Sequence, residues 1–561
     1  MKVCYIWIEK YRNFNNFSLN LSSTMKFNYD YQLNTLIAKE HDYKLPNDFF
    51  GKNIAEITGI IGKNGAGKSN AIELVCKILK GAKTSLKTNF LFIVEESNSL
   101  KCYCSLNETD VPNSDFPISF EVYSGNMDNM KVVYFSNVFD ERKNNFSQDI
   151  SDISVNNLSW RNFSSRKNML TSFQKQIKLI NTKIFGLLNI ETPNKIQFTI
   201  KVWRNNFNSS MQRSIYLENY EIIHKFRRFF RDRMRDASIH NKFVYLIIYG
   251  FFMDTMQHHF RYNQFKNENQ DVLNFIESLL NIRSTEEVSH KIIAFLDSES
   301  QKLSRNEQSI FDISSHKDTS LEIISQQVNL LIELKESFKK YDLEYDTEGA
   351  RDKSLEYFVF DYGSHSIKPF LNKMVDLFED SNIFDINWLG ISSGHKAYLN
   401  LFASLYQELR YTKQENLLLC IDEGDLYLHP KWQIEFFYKL LQVLPQIYNG
   451  NVQLILTSHS PFLLSDLPNS NITILDNGKS INGLDLRINT FGGNLYELYS
   501  EPFFLEDKRT SEFAFHKIKD LIYKVESDNL TREDKKEIRI INSIIGDEII
   551  QYKINKILNN D

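Results

Sequence analysis

The residues best suited to chemistry lie in three short runs far apart in the chain. The first is Gly62-Lys63-Asn64-Gly65-Ala66-Gly67-Lys68-Ser69, which fits the pattern G-x-x-x-x-G-K-S at every fixed position and is followed by Asn70. Gly62, Gly65 and Gly67 allow positive φ, so the backbone can turn its N–H groups inward, and a helix start just beyond adds partial positive charge. The result is an anion cradle for phosphate. Lys68 supplies a point charge for β- and γ-phosphates, and the Ser69 hydroxyl suits Mg²⁺, an ion that takes oxygen ligands. The second run is Asp422-Glu423, two consecutive carboxylates ending the apolar stretch NLLLCI. With a nucleotide nearby, the first suits the Mg²⁺ shell and the second suits the orientation and deprotonation of water. The third run is Ser458-His459-Ser460, closing VQLILT, where His459 can donate to a γ-phosphate.

The elements around these runs are an apolar strand before Gly62, a helix from the P-loop to about Leu79, and two buried strands before Asp422 and Ser458. Ligands in such sheets sit at the carboxyl ends of the strands. KVCYIWIE at 2–9 alternates as an edge-type strand, and NFLFIVEE, LKCYCSL and FPISFEVY read as an antiparallel flank. KVVYFSNVFD at 131–140 is another strand, and SLEYFVFD at 354–361 is expected to resume the main sheet. From 160 to 350 glycine and proline thin out. Leu170, Phe173, Ile177, Ile180, Ile184 and Leu187, then Leu321, Ile324, Val328 and Leu331, recur at three and four, which predicts packed antiparallel helices with a strand at 196–203.

Composition sets limits. The 561 residues are 42% hydrophobic and 13% aromatic, enough for several sizeable cores, and the net charge of −5 leaves any polyanion site local. Five scattered cysteines point to reduced thiols and a cytoplasmic setting, and Cys102-Tyr103-Cys104 lacks the second pair a zinc site needs. The longest apolar run, FVYLIIYGFF at 243–252, is too short to span a bilayer, so no membrane contact is expected. HKFRRFFRDRMRD at 224–236 sets Lys225, Arg227, Arg228, Arg231, Arg233 and Arg235 around Phe226, Phe229 and Phe230. Contact with nucleic-acid phosphate and a solvated face around a core stripe both remain open for it.

The order P-loop, long insert, Ser392-Ser393-Gly394 turn, carboxylate pair, T-S-H-S-P resembles the ATP-binding-cassette ATPases of the SMC/RecF/OLD type. DEGDLYLHPKWQ, SHSPFLLSDLP and TFGGNLYELYSEPFFLED are similar to the PtuA family, the ATPase subunits of Septu-type antiphage defence, including forms that accompany retrons. The resemblance implies an α/β, ABC-type P-loop ATPase head, a mixed sheet with helices plus an antiparallel β flank, carrying a helical insertion domain. It divides the chain at 1–160, 161–350, 351–505 and 506–561. It also implies ATP and Mg²⁺ as ligands, with Lys68, Ser69, Asp422, Glu423 and His459 of one copy facing Ser392 and Gly394 of another in a head-to-tail dimer. Ser393 and His395 stand where glycine and glutamine are commoner. A polar strand-end group, usually Gln, has only Ser136 and Asn137 as counterparts, which implies slow or conditional hydrolysis. By the same resemblance the chain restrains a separate HNH nuclease of the PtuB kind, with a retron reverse transcriptase and its msDNA as further partners. No H-N-H pattern or spaced acidic set is present, so no nuclease is expected in the chain itself. For the tail IRIINSIIGDEIIQYKINKIL and the FGGN segment before it, docking of a partner and, for the tail, packing on its own lobe are both open. The alternative reading is a DNA-repair or DNA-end-binding ATPase of the SMC/RecF kind.

Overall fold

In a computed structural model, the described residues are 1–561 apart from 43, 47, 83–85, 106–110, 124, 139–143, 156–171, 202–215, 263–267, 312–320, 346–354, 379–382, 501–510, 527–529 and 561. Leu170 and the whole FFLED run at 503–507 therefore lie outside the described residues.

A seven-stranded mixed sheet forms the centre. Its order runs Ile150–Asp152, Met130–Ser136, Asn416–Asp422, Asn451–Thr457, Ile54–Gly62, Ile472–Asp476, Lys479–Asn482, and only the last strand is antiparallel. The central strands are buried on both faces because alternate residues feed two cores. Ile57, Ile61, Leu419, Ile421, Leu454 and Leu456 join one. Ile60, Leu418, Cys420 and Ile455 join the other, with the P-loop helix Lys68–Leu79. This double coverage explains the unbroken apolar runs.

On the P-loop helix side lies a five-stranded sheet of Phe14–Asn20, Lys2–Tyr11, Phe90–Glu96, Ser99–Cys104 and Ser119–Val122, with a small three-stranded sheet beyond it. This flank is antiparallel except at Ser119–Val122, which pairs parallel with Ser99–Cys104, and Lys2–Tyr11 is an inner strand of it and not the edge-type strand expected. All five cysteines are free thiols.

The insert contains helices Ser172–Ile180, Tyr216–Met234, Ile239–Tyr262, Glu268–Leu280, Thr285–Ser304 and Leu321–Ser337. The helix at 239–262 buries Phe243, Leu246, Ile247 and Phe252, which accounts for the apolar run at 243–252. No helix among the described residues is long and apolar enough to cross a membrane.

A further expectation is corrected. Glu356–Asp361 does not rejoin the central sheet; it pairs antiparallel with Lys195–Ile200, which pairs on its other side with Phe384–Leu389. Together with Glu344–Tyr345 these make a separate four-stranded sheet. Its strands alternate buried and exposed positions at 384–389, the mark of a sheet covered on one face.

Trp388 ties this sheet to the insert. Its Nε1 donates to Gln176 Oε1 at 2.9 Å, and its ring packs against Phe173 and Tyr362. Trp388→Ala is expected to cost about 3–5 kcal/mol in urea unfolding. A loss under about 1 kcal/mol would mean that this junction does not hold the insert in place.

Candidate functional site

Parallel pairing brings the three runs together. Asp422 lies level with Thr457, Thr457 with Ile60, and the P-loop strand ends two residues later at Gly62. The turn that follows has Gly62 at φ 153°, Gly65 at 79° and Gly67 at 99°. At two of these a side chain is also excluded by space. A Cβ at Gly62 would stand 2.3 Å from the Leu475 carbonyl oxygen, and one at Gly67 would stand 2.8 Å from Asn13 Nδ2 and Phe14 Cζ. Lys63, Asn64 and Gly65 form the exposed rim, and Ala66 is buried. Gly67 caps the helix without a side-chain bond, and no acidic residue occupies the first turn, so the helix start keeps its partial positive charge.

Lys68 is buried. Its Nζ donates to the carbonyls of Gly62 at 3.0 Å and Lys63 at 3.3 Å. Burial lowers its pKa, and the nearby carboxylates of Glu423 and Asp422 oppose that shift. Asn70 joins the cradle to the flank, accepting from Arg12 and donating to Asn13 Oδ1 at 2.7 Å.

Asp422 is 2% exposed and accepts from Thr457 Oγ1 at 2.6 Å, Tyr134 Oη at 3.3 Å and the Ser69 hydroxyl. Burial pushes its pKa up, and those hydrogen bonds pull against it. Thr457 Oγ1 also accepts the Glu423 N–H at 3.0 Å. Glu423 leaves the strand at φ 51°, a left-handed conformation that costs a non-glycine residue on the order of 1 kcal/mol. Its Oε1 meets His459 Nε2 at 3.3 Å, and this hydrogen bond holds the carboxyl below the usual range.

The other candidates divide. Ser392 and Ser393 are exposed at the start of the helix Ser393–Leu409, where Ser392 Oγ accepts the His395 N–H at 3.1 Å. Gly394 packs on a loop of its own chain, and a Cβ there would lie 2.6 Å from the Tyr427 carbonyl oxygen. No hydrogen bond among the described residues ties this turn to the P-loop. Ser136 is level with Asp422, but its Oγ accepts from the Val138 N–H. Asn137 Nδ2 is spent on the carbonyls of Gly424 and Leu426.

On the basic helix, Phe226 and Phe230 are fully buried, as the apolar stripe requires. Lys225 pairs with Glu221 at 2.6 Å, Arg235 with Asp232 at 3.7 Å, and Arg233 donates to the Ile282 carbonyl while stacking on Phe229. Arg228 and Arg231 are exposed and Arg227 is half-buried. Much of the helix's charge is thus engaged locally.

Sequence reasoning gave no role to Thr457, Tyr134, Asp425, Ser458 or Gln433, all bonded around the carboxylates and His459. Thr457 and Ser458 could have been found as polar residues ending a buried strand. Tyr134 sits in mid-strand and gave no such sign.

A glycine cradle at a helix start, an adjacent buried carboxylate and a neighbouring Glu–His pair at the carboxyl ends of parallel strands define a P-loop ATPase head. Residues 57–465 match the family model described as "AAA domain, putative AbiEii toxin, Type IV TA system", and the chain belongs to that family. It is 26% identical over 238 residues to the Retron Ec83 probable ATPase of Escherichia coli, covering 40% of this chain and 41% of that protein. It is 31% identical over 156 residues to the Retron Vc95 probable ATPase of Vibrio cholerae serotype O1 biovar El Tor, covering 25% and 28%. To the Septu protein PtuA of Bacillus thuringiensis it is 29% identical over 139 residues, covering 23% and 31%. The matched segments thus span about two fifths or less of these relatives.

The raised pKa of Asp422 has a measurable consequence. The cost of its buried charge sets in as pH climbs from the ordinary carboxylate range to the raised folded-state value, and is full above it. Asp422→Asn should therefore stabilise the nucleotide-free protein near neutral pH by on the order of 1 kcal/mol. Melts in chelator across pH would show the gain vanish in acid; a gain constant with pH would contradict the assignment.

Proposed function

We propose that this chain is an ATP-binding and ATP-hydrolysing regulatory subunit of a prokaryotic antiphage defence complex. The observation that carries the ATPase reading is the convergence of Lys68, Ser69, Asp422, Glu423 and His459 on one edge of the central sheet. The fit to Mg²⁺ and a triphosphate rests on the positive-φ glycine turn, packed so closely at Gly62 and Gly67 that a side chain is excluded, and on the donor set of a hydroxyl, a buried carboxylate and a buried ammonium.

In this reading the backbone of residues 62–70 and Lys68 hold the phosphates, and Ser69 and Asp422 hold Mg²⁺, which when bound neutralises phosphate charge. Glu423 orients water and takes its proton. His459 braces that carboxylate and offers its ring to the γ-phosphate. Ser392, Ser393 and Gly394 serve a second copy of the chain, arranged head to tail. Support comes from the exposure of both serines and from the absence, among the described residues, of any hydrogen bond from this turn to its own P-loop. The lobes are assigned to 1–160 and 351–505, the insert to 161–350 and the tail to 506–561.

The defence role rests on the relatives, whose names place them in retron and Septu systems. By that likeness the chain restrains a separate HNH nuclease, with a retron reverse transcriptase and msDNA as further components. Purification from the native operon should recover an HNH protein with the chain; the ATPase alone, recovered repeatedly, would count against this role.

Glu423→Gln keeps the hydrogen-bonding shape but removes the base. Its ATP turnover should fall about 10²- to 10⁴-fold while nucleotide affinity stays within about threefold. Unchanged turnover would remove Glu423 from the chemistry.

A further inference from the structure

The function assigned to His459 depends on where its ring points, yet the residue stands at the free end of a strand. Two hydrogen-bonded rungs immediately precede it: Thr457 Oγ1 donates to Asp422 Oδ1 at 2.6 Å, and Ser458 Oγ donates to Asp425 Oδ2, also at 2.6 Å. Glu423 lies between the two aspartates, and His459 directly follows the two hydroxyl residues.

The second rung belongs to a closed ring. Ser458 Oγ also accepts the Ser460 N–H at 2.8 Å, so both neighbours of His459 are pinned by one oxygen. Ser460 Oγ donates to Gln433 Oε1 at 3.4 Å. Gln433 Nε2 then donates to the Asp425 carbonyl at 3.4 Å and the Leu428 carbonyl at 3.2 Å, returning to the loop where the ring began. Asp425, Ser458 and Ser460 are each at most 7% exposed, so water competes little for these bonds.

We propose that Asp425 is a positioning residue for the proposed ATP hydrolysis: through Ser458 and the Gln433-closed ring it fixes the backbone at 458–460, and so holds the His459 ring against Glu423. The ring meets that pair through the backbone on either side of His459. Its loss is felt in the catalytic step and not in ATP binding. This inference rests on the ATPase reading above.

Asp425→Ala is expected to lower kcat about ten- to hundredfold, with KM for ATP within about twofold of wild type. Asp425→Asn keeps a carbonyl acceptor for Ser458 and should recover to within about threefold of wild type, while Gln433→Ala opens the ring elsewhere and gives the same kcat-against-KM split in milder form. A second readout is independent of turnover. In ¹⁵N spectra of histidine-labelled protein, the His459 Nε2 resonance should move in Asp425→Ala in the direction that Glu423→Gln moves it, and stay in place in Asp425→Asn. Wild-type kcat in Asp425→Ala, an unmoved resonance, or joint loss of kcat, ATP affinity and melting temperature without rescue by Asn would overturn the proposal. Should Glu423→Gln leave turnover unchanged, the ATPase reading fails, and the resonance still decides whether Asp425 holds His459.

Discussion

Everything at the site depends on one row of residues across parallel strands: Ser136, Asp422, Thr457 and Ile60 lie level with one another. Parallel neighbours share a direction, so all four strands release their chains at the same edge. That edge is where a carboxylate from one strand end, a hydroxyl from the next and a glycine turn from the third can meet. A slip of one residue in either pairing would turn Asp422 or Thr457 to the opposite face, into an apolar core. Burying Asp422 is unfavourable by itself, and hydroxyl donors from Ser69, Tyr134 and Thr457 offset that cost. The donors come from three separate elements, so the carboxylate is satisfied only when those elements are correctly assembled.

The insert is continuous with the head. The apolar cluster that covers one face of the central sheet also contains Phe226, Phe243, Ile292, Leu331 and Trp388, without a break between sheet and helices. Dense cores do not deform smoothly, and a displacement in one part must be answered by its neighbours. The tail differs. Its helices Glu512–Val525, Arg532–Ser543 and Glu548–Asn560 form a separate small core around Leu521, Val525, Ile538, Ile545, Ile554 and Leu558. Phe513, Ile544, Ile549 and Tyr552 remain exposed on it.

What could be read from sequence followed from how local each signal was. The cradle, the carboxylate pair and the T-S-H-S strand end were legible because each packs its chemistry into fewer than about ten residues bounded by a strand or helix. Strand order was not. Glu356–Asp361 and Phe384–Leu389 have the length and apolar content of strands of the main sheet, and only pairing with Lys195–Ile200 reveals their separate sheet. Asp425 and Gln433 were illegible for a related reason: a polar residue in a loop or on the first turn of a helix announces nothing until its partner, here Ser458 or Ser460, arrives from just past the end of another strand. Ser136 and Asn137 misled in the opposite direction, because the polar strand end that suggested a ligand is used for local and cross-loop hydrogen bonds.

The loop from Glu423 to His429 connects two places that the proposed chemistry separates. At its start Glu423 meets His459; at its end the carbonyl of Tyr427 leaves no room for a Cβ on Gly394. The following helix, Pro430–Ile447, brings Trp432 against both His395 and Tyr398 of the Ser393–Leu409 helix. With contacts this close there is little slack between the Ser392–Gly394 turn and the loop, and the loop's other end cannot rotate freely because Asp425 is bonded to Ser458. The short backbone path from the turn to Glu423 thus runs through this loop and not through the P-loop.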